Sequence, residues 1–230
     1  MVLASWMVNS AGWVFWTIVY VLIIIECSRD KTYGVPLPAL CANLSWEIIF
    51  SAGFLKPFDR VFVGIWLCLD LIIFFQYIKF WRTDYPKNLP RRLFIPMLAG
   101  TALFSFGIIL LSVLYLPDHR GTLVAHAQNF MMSILFVAMY LRRNDLSGQS
   151  FYIGLFKLIG TMSTFLSNFM LDPKQWLFNL ICLGIFIYDC TYVTMLYQKY
   201  RNLGRNPWRE LVKSKAAIAN QGSTCLHRTG

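Results

Sequence analysis

Three carboxylates stand inside long apolar runs of the sequence: Glu47, Asp70 and Asp189. An ionisable group in hydrocarbon costs several kcal/mol, so it usually faces a bundle interior and has a task there. Helical spacing gives each acid a partner. Asn43 lies four residues before Glu47, and Trp46 adjoins it. Trp66 lies four residues before Asp70, Phe74 four after it, and Tyr192 three after Asp189. A carboxyl in an apolar cavity favours its neutral form and can act as a general acid. Aromatic faces around it stabilise a cation, and a water-poor pocket shields that cation from hydrolysis. Together these features suit protonation of an alkene or an epoxide. Buried acids also serve proton-coupled transporters and sensors. A transporter predicts internal repeats, and none is evident. A retinal protein needs a lysine midway along the last apolar run, which has none. The structural readings are a pairing of one acid with Lys157 or helix-to-helix hydrogen bonding. One lysine cannot neutralise three acids. Further polar residues (His126, Gln128, Asn129, Thr161, Ser163, Thr164, Ser167 and Asn168) mark two later runs.

The elements that must position these groups follow from composition. Of 230 residues, 57% are hydrophobic, 17% aromatic and only 14% charged, against about a quarter charged in a soluble domain. Mean hydropathy is +0.53. Too little polar surface exists to coat a soluble sphere, so the chain reads as an all-α polytopic membrane protein in one domain. Seven stretches are candidate spans: Ala11–Ile25, with a start reaching back towards Trp6, Val35–Gly53, Val61–Ile78, Leu93–Leu116, Leu123–Leu141, Phe151–Leu171 and Gln175–Tyr197. Pro36 and Pro38 suit the first turn of the second. The first makes a poor signal peptide, with no positive charge in its N-terminal flank and no small-residue cleavage site after it. Residues 1–200 form the bundle, and 201–230 read as a polar, basic tail broken by Gly204, Pro207 and Gly222.

The net charge of +10 flanks apolar spans, which points to membrane topology and not to nucleic acid. With seven spans, sixteen basic residues fall on one side and four (Lys56, Arg60, Arg120 and Lys174) on the other. The positive-inside rule then puts the N-terminus outside or in the lumen and the tail in the cytoplasm, near lipid head groups. Lys157, inside a span near its cytoplasmic start, is expected to snorkel. The six cysteines form no C-x-x-C pair and read as small core residues; with three scattered histidines they suggest no metal site. The triplet Asn43-Leu44-Ser45 lies within a span and is discounted as a glycosylation site.

The stretch Asp30-Lys31-Thr32-Tyr33-Gly34, leading into Cys41-Ala42-Asn43-Leu44-Ser45-Trp46-Glu47, resembles the signature of the small seven-span membrane terpene cyclases of fungal meroterpenoid and indole-diterpene pathways, which have actinobacterial relatives. Asp189 with Tyr192 resembles the acidic Asp-x-x-Tyr of that family's last helix. Trp66-x-x-x-Asp70, Gln128-Asn129 and Gly148-Gln149-Ser150 look like further family positions. The resemblance implies a metal-independent, cofactor-free cyclase. Its substrate is a hydrophobic prenyl chain on an aromatic, polyketide or indole head, usually epoxidised beforehand by a separate flavin monooxygenase. It implies Glu47 as leading proton donor, Asp189 as a second acid that donates, relays or orients, and Asn43, Trp46, Trp66, Asp70 and Tyr192 as substrate-cavity residues. In a eukaryote the endoplasmic reticulum is the expected membrane. The alternative is a membrane carrier of a hydrophobic metabolite.

Overall fold

The computed structural model describes residues 2–54, 57–83, 85, 88–116 and 121–212. Lys56, Lys87, Arg120, Lys213, Lys215 and Arg228 of the charge comparison, and residues 213–230 of the expected tail, lie outside the described residues.

Apolar runs separated by short polar breaks give helices, and the described residues form seven α-helices: α1 (Val2–Asp30), α2 (Leu37–Ile49), α3 (Pro57–Phe80), α4 (Phe94–Tyr115), α5 (Thr122–Arg143), α6 (Phe151–Leu171) and α7 (Trp176–Asn202). Five of them, α1, α3, α4, α5 and α7, are long and apolar enough to cross a membrane. The other two correct the expectation of seven spans of one kind. α2 has 13 residues and rises about 20 Å, short of a hydrocarbon core of about 30 Å. It ends because the chain passes into a π-helical turn, Phe50–Phe54, broken by Gly53 at φ 148°. α6 is long enough at 21 residues, but its polar residues dilute its hydropathy. Three of those, Lys157, Thr161 and Ser167, are buried, so this helix spends its polar face inside the bundle.

The helices close into a ring. α1 packs on α6 and α3, α3 on α2, α2 on α5, α5 on α7, and α7 back on α6. α4 packs mainly against α2 from outside. Its Leu103, Phe104, Ile108 and Leu114 stay exposed, as an outer, lipid-facing helix requires. The α1–α6 seam is close because small residues line it. A Cβ on Gly12 would stand 2.9 Å from the Gly160 carbonyl oxygen, and the Ser5 and Ser167 hydroxyls meet at 2.9 Å.

At the end of α1 opposite its N-terminus, the 30–34 segment interlocks with the loop before α6. The Gly148 amide donates to Asp30 Oδ2 at 2.7 Å. Arg142 Nη2 donates to the Tyr33 hydroxyl at 2.7 Å, and the Arg143 guanidinium lies 4.5 Å from the Tyr33 ring centre. Ser150 then caps α6, accepting from the Ile153 amide. The start of the expected tail is not free either. Pro207 is buried, Trp208 meets the Phe151 ring at 4.8 Å, and the Tyr152 hydroxyl donates to the Trp208 carbonyl. Aromatic contact outweighs the basic character of this segment and folds it back on α6.

Gly34 sits at the tightest point of the interlock, where a Cβ would lie 2.6 Å from Cys27 Sγ and 2.8 Å from the Gly148 carbonyl oxygen. Gly34→Ala is expected to cost about 1–3 kcal/mol by overpacking, lowering the unfolding temperature of the detergent-solubilised protein. A melting curve superimposable on wild type would contradict this packing.

Candidate active site

Inside the ring, open towards the N-terminal end of α1, lies a cavity of about 830 Å³, within the usual range for small-molecule sites. One face of α1 forms its long wall: Val2, Trp6, Asn9, Trp13, Trp16 and Tyr20 recur at steps of three or four, the spacing of one helical stripe, with Ser5 beside them. From Val2 to Tyr20 the stripe runs about 27 Å. α2 adds Asn43, Trp46 and Glu47, α3 adds Phe62, Val63 and Trp66, α5 runs from Thr122 to Met132, and α6 adds Thr164 to Leu171. Because α1, α3 and α5 enter with Val2, Asp59 and Thr122, and reach Tyr20, Trp66 and Met132 further along, Glu47 belongs to the deep end.

The deep end is aromatic. Tyr20 stacks on Trp66 at 6.4 Å and 11°, and nearer the entrance, beside the start of α5, Trp46 stacks on Phe50 at 4.7 Å. The Trp66 indole N–H is taken by Thr17 Oγ1 at 3.0 Å and that of Trp46 by the Gly121 carbonyl at 3.1 Å, so what these rings offer the cavity is π surface. The second bond needs Gly121 as glycine. Its φ is +65°, and a Cβ would stand 2.0 Å from the Phe50 ring.

A hydrogen-bond chain of fixed sense holds Glu47. Gln128 Nε2 donates to Asn43 Oδ1 at 3.2 Å, Asn43 Nδ2 donates to the Tyr20 hydroxyl at 3.0 Å, and that hydroxyl donates to Glu47 Oε1 at 2.8 Å. Because Tyr20 accepts from Asn43, its own proton is committed to Glu47. Glu47 Oε2 is buried with no hydrogen-bond partner among the described residues. A proton carried by this carboxyl therefore belongs on Oε2. Every donor in the chain is uncharged.

The sequence-predicted residues divide. Glu47, Asn43, Trp46 and Trp66 all line the cavity. Asp70, 1% exposed, lies just behind, within electrostatic reach of Glu47, and with Asn43 it lines only a small void beneath the floor. Asp189 and Tyr192 are not brought to the cavity: α7 packs between α5 and α6, but those two helices bridge in front of it through Asn129–Thr161 and His126–Thr164, and α7 supplies no lining residue. Lys157 Nζ instead binds both Asp189 oxygens, at 2.7 and 2.9 Å. This corrects the snorkelling expected of Lys157, which is 1% exposed: a buried carboxylate within reach satisfies the ammonium more directly than a distant interface. The Tyr192 hydroxyl donates to Gln149 Oε1 at 3.0 Å, and its ring packs against Phe136. Tyr20, Trp13 and Trp16 were missed. Their signal was the three-and-four spacing along α1, which reads equally as bilayer-facing aromatics until the ring of helices is closed.

A helical membrane bundle that holds one acid at the end of a deep aromatic cavity has the make-up of an enzyme for apolar substrates. Comparison with known proteins gives the family. The profile of the Pyr4-like transmembrane terpene cyclases matches residues 2–198, and the chain belongs to this family of metal-independent membrane cyclases of secondary metabolism. It is a multi-pass integral membrane protein. It is 32% identical over 156 residues to the Pyr4-family terpene cyclase mfmH of Annulohypoxylon moriforme, covering 64% of this chain and 62% of that one. The terpene cyclase spyD of Aspergillus fumigatus is 23% identical over 180 residues, 74% of each chain. The terpene cyclase cle7 of Aspergillus versicolor is 28% identical over 170 residues, 70% of each. No solved structure matches.

Tyr20→Phe removes the hydroxyl that donates to Glu47 Oε1 while keeping the ring against Trp66. Turnover of a cyclised precursor is expected to fall by about tenfold with KM little changed, the range for losing one hydrogen bond to a reacting acid. A wild-type kcat in this variant would contradict the assignment.

Proposed function

We propose that this chain cyclises a prenyl chain carried on a meroterpenoid or indole-terpenoid precursor, with Glu47 as the general acid. The prenyl end enters first and reaches the deep end, and the polar head rests nearer Asn9, Asp59 and Asn168. Glu47 passes its proton from Oε2 to the terminal epoxide oxygen, and the adjacent C–O bond breaks as the neighbouring alkene attacks. With a plain alkene as substrate, the proton goes to carbon instead. Successive alkenes close the rings, and loss of a proton from the last cation leaves a product isomeric with the precursor. Trp16, Trp46 and Trp66 face the travelling positive charge with their π surfaces, and the apolar walls keep water from capturing it. Asn43 and Tyr20 orient the acid.

The observation that carries this reading is the unpartnered Oε2 of Glu47 in the wall of an aromatic cavity. The names of the relatives, all terpene cyclases, support it. An epoxide substrate places a flavin-dependent epoxidation immediately upstream. With all seven helices passing through the membrane in alternation, the short α2 together with the π-helical turn that follows it, the excess of basic residues on one set of loops supports an N-terminus on the lumenal or outer face, with the endoplasmic reticulum as the membrane in a eukaryotic host.

The test is incubation of membranes containing the protein with a panel of epoxyprenyl and prenyl aromatic, polyketide and indole precursors, followed by mass spectrometry and NMR. The expected result is a product of unchanged mass with fewer double bonds and new rings. A precursor that binds and is always recovered unchanged would overturn the cyclase reading and leave a carrier.

A further inference from the structure

The Lys157–Asp189 pair lies outside the cavity yet close behind its wall. Lys157 Nζ is bound at 2.7 Å and 2.9 Å by the two oxygens of Asp189 and donates at 2.6 Å to Ser133 Oγ. Lys157 and Asp189 are each 1% exposed and Ser133 is 0% exposed. Both carboxylate oxygens are thus engaged, and neither faces the space a substrate would fill. On its other side the ammonium stands 5.8 Å from the centre of the Trp16 ring, and Trp16 lines the cavity. A void of about 10 Å³, bordered by Lys157, Trp16, Tyr20 and Asp70, lies between them, about the size of one water molecule. One indole therefore separates a full positive charge from the space in which a carbocation is to form.

We propose that Asp189 serves the reaction as the counter-ion of Lys157, and that the pair is a positioning device which fixes Trp16 and keeps the cavity floor neutral towards a substrate cation, without itself exchanging protons with the substrate. The inference rests on the cyclase reading above. Its physical basis is the asymmetry of buried ion pairs. A matched pair is close to neutral in its effect, and a neutral pair of similar size can replace it, whereas removing one partner leaves an uncompensated charge in a low-dielectric interior. In Asp189→Asn that charge is the ammonium. It repels a cation across Trp16 and draws the ring's electron-rich face to itself. The barrier rises where positive charge develops, which is a loss in kcat more than in KM.

The experiment uses a precursor that the wild-type protein cyclises, so a failure of the cyclase reading is met before any variant is compared. Asp189→Asn, Lys157→Met/Asp189→Asn and Lys157→Gln/Asp189→Asn are expressed in the same membranes, and kcat, KM and protein amount are measured. Asp189→Asn is expected to lose about 100-fold in kcat, the scale of one uncompensated buried charge. At least one neutral double variant is expected to return to within about tenfold of wild type. A merely structural role for Asp189 does not yield a double variant faster than the single one at equal protein amount. The proposal is overturned if both double variants accumulate normally and remain as inactive as Asp189→Asn. It is also overturned if Asp189→Asn turns over like wild type, or if Asp189→Asn folds and neither neutral double variant does.

Discussion

The structure is organised by a division of charge between two buried acids. Asp189 receives the buried ammonium of Lys157, whereas the donor Glu47 receives among the described residues is the uncharged Tyr20 hydroxyl. An acid that is to give up a proton inside a bilayer cannot sit beside a fixed cation, since the cation would hold it ionised. Nor can it be left without any hydrogen bond, because a loosely held carboxyl has no defined direction of transfer. The directed chain Gln128–Asn43–Tyr20–Glu47 meets both demands. It draws on three helices, α5, α2 and α1, so these must come together before the acid is aimed.

Helix α1 ties these requirements together. One stripe of it is the cavity wall, its small residues let α6 approach, and its last turn carries Asp30 into the interlock with Gly148. The motif from Asp30 to Glu47 therefore holds two separate devices. Its first part, with Tyr33 under Arg143 and Gly34 against Cys27, fixes the end of the bundle remote from the cavity mouth. Its second part, Asn43 to Glu47, sets the site. Trp46 links the site to the start of α5 through Gly121, so the deep end and the α5 entrance are held by the same short helix.

Much of this was legible in the sequence, and the remainder failed for identifiable reasons. Hydropathy placed all seven helices, because each lies in its own apolar run. It overrated α2, since the π-helical turn that ends it comes from the backbone at Phe50–Phe54 and not from composition. Helical spacing put Asn43 and Trp46 beside Glu47, because neighbours on one helix are set by its period alone. Spacing also put Tyr192 beside Asp189, and the family resemblance put that pair at the same site. Period fixes which residues share a face of α7 but not which space that face meets, and the bonds that join α5 to α6 on the cavity side keep α7 out of the lining. Tyr20 escaped for the converse reason: its partner is 27 residues away, and its stripe on α1 has the same composition as a lipid-facing aromatic belt.

The central claim, that Glu47 is the acid, is tested most directly by Glu47→Gln in reconstituted membranes, with a precursor the wild type cyclises and with precursor retention and product formation both measured. Glutamine keeps the size and still accepts from Tyr20, so the precursor should be retained as by wild type. Its cyclisation should fall by about 100-fold or more, the contribution of general acid catalysis. Cyclisation at the wild-type rate by Glu47→Gln would contradict the account.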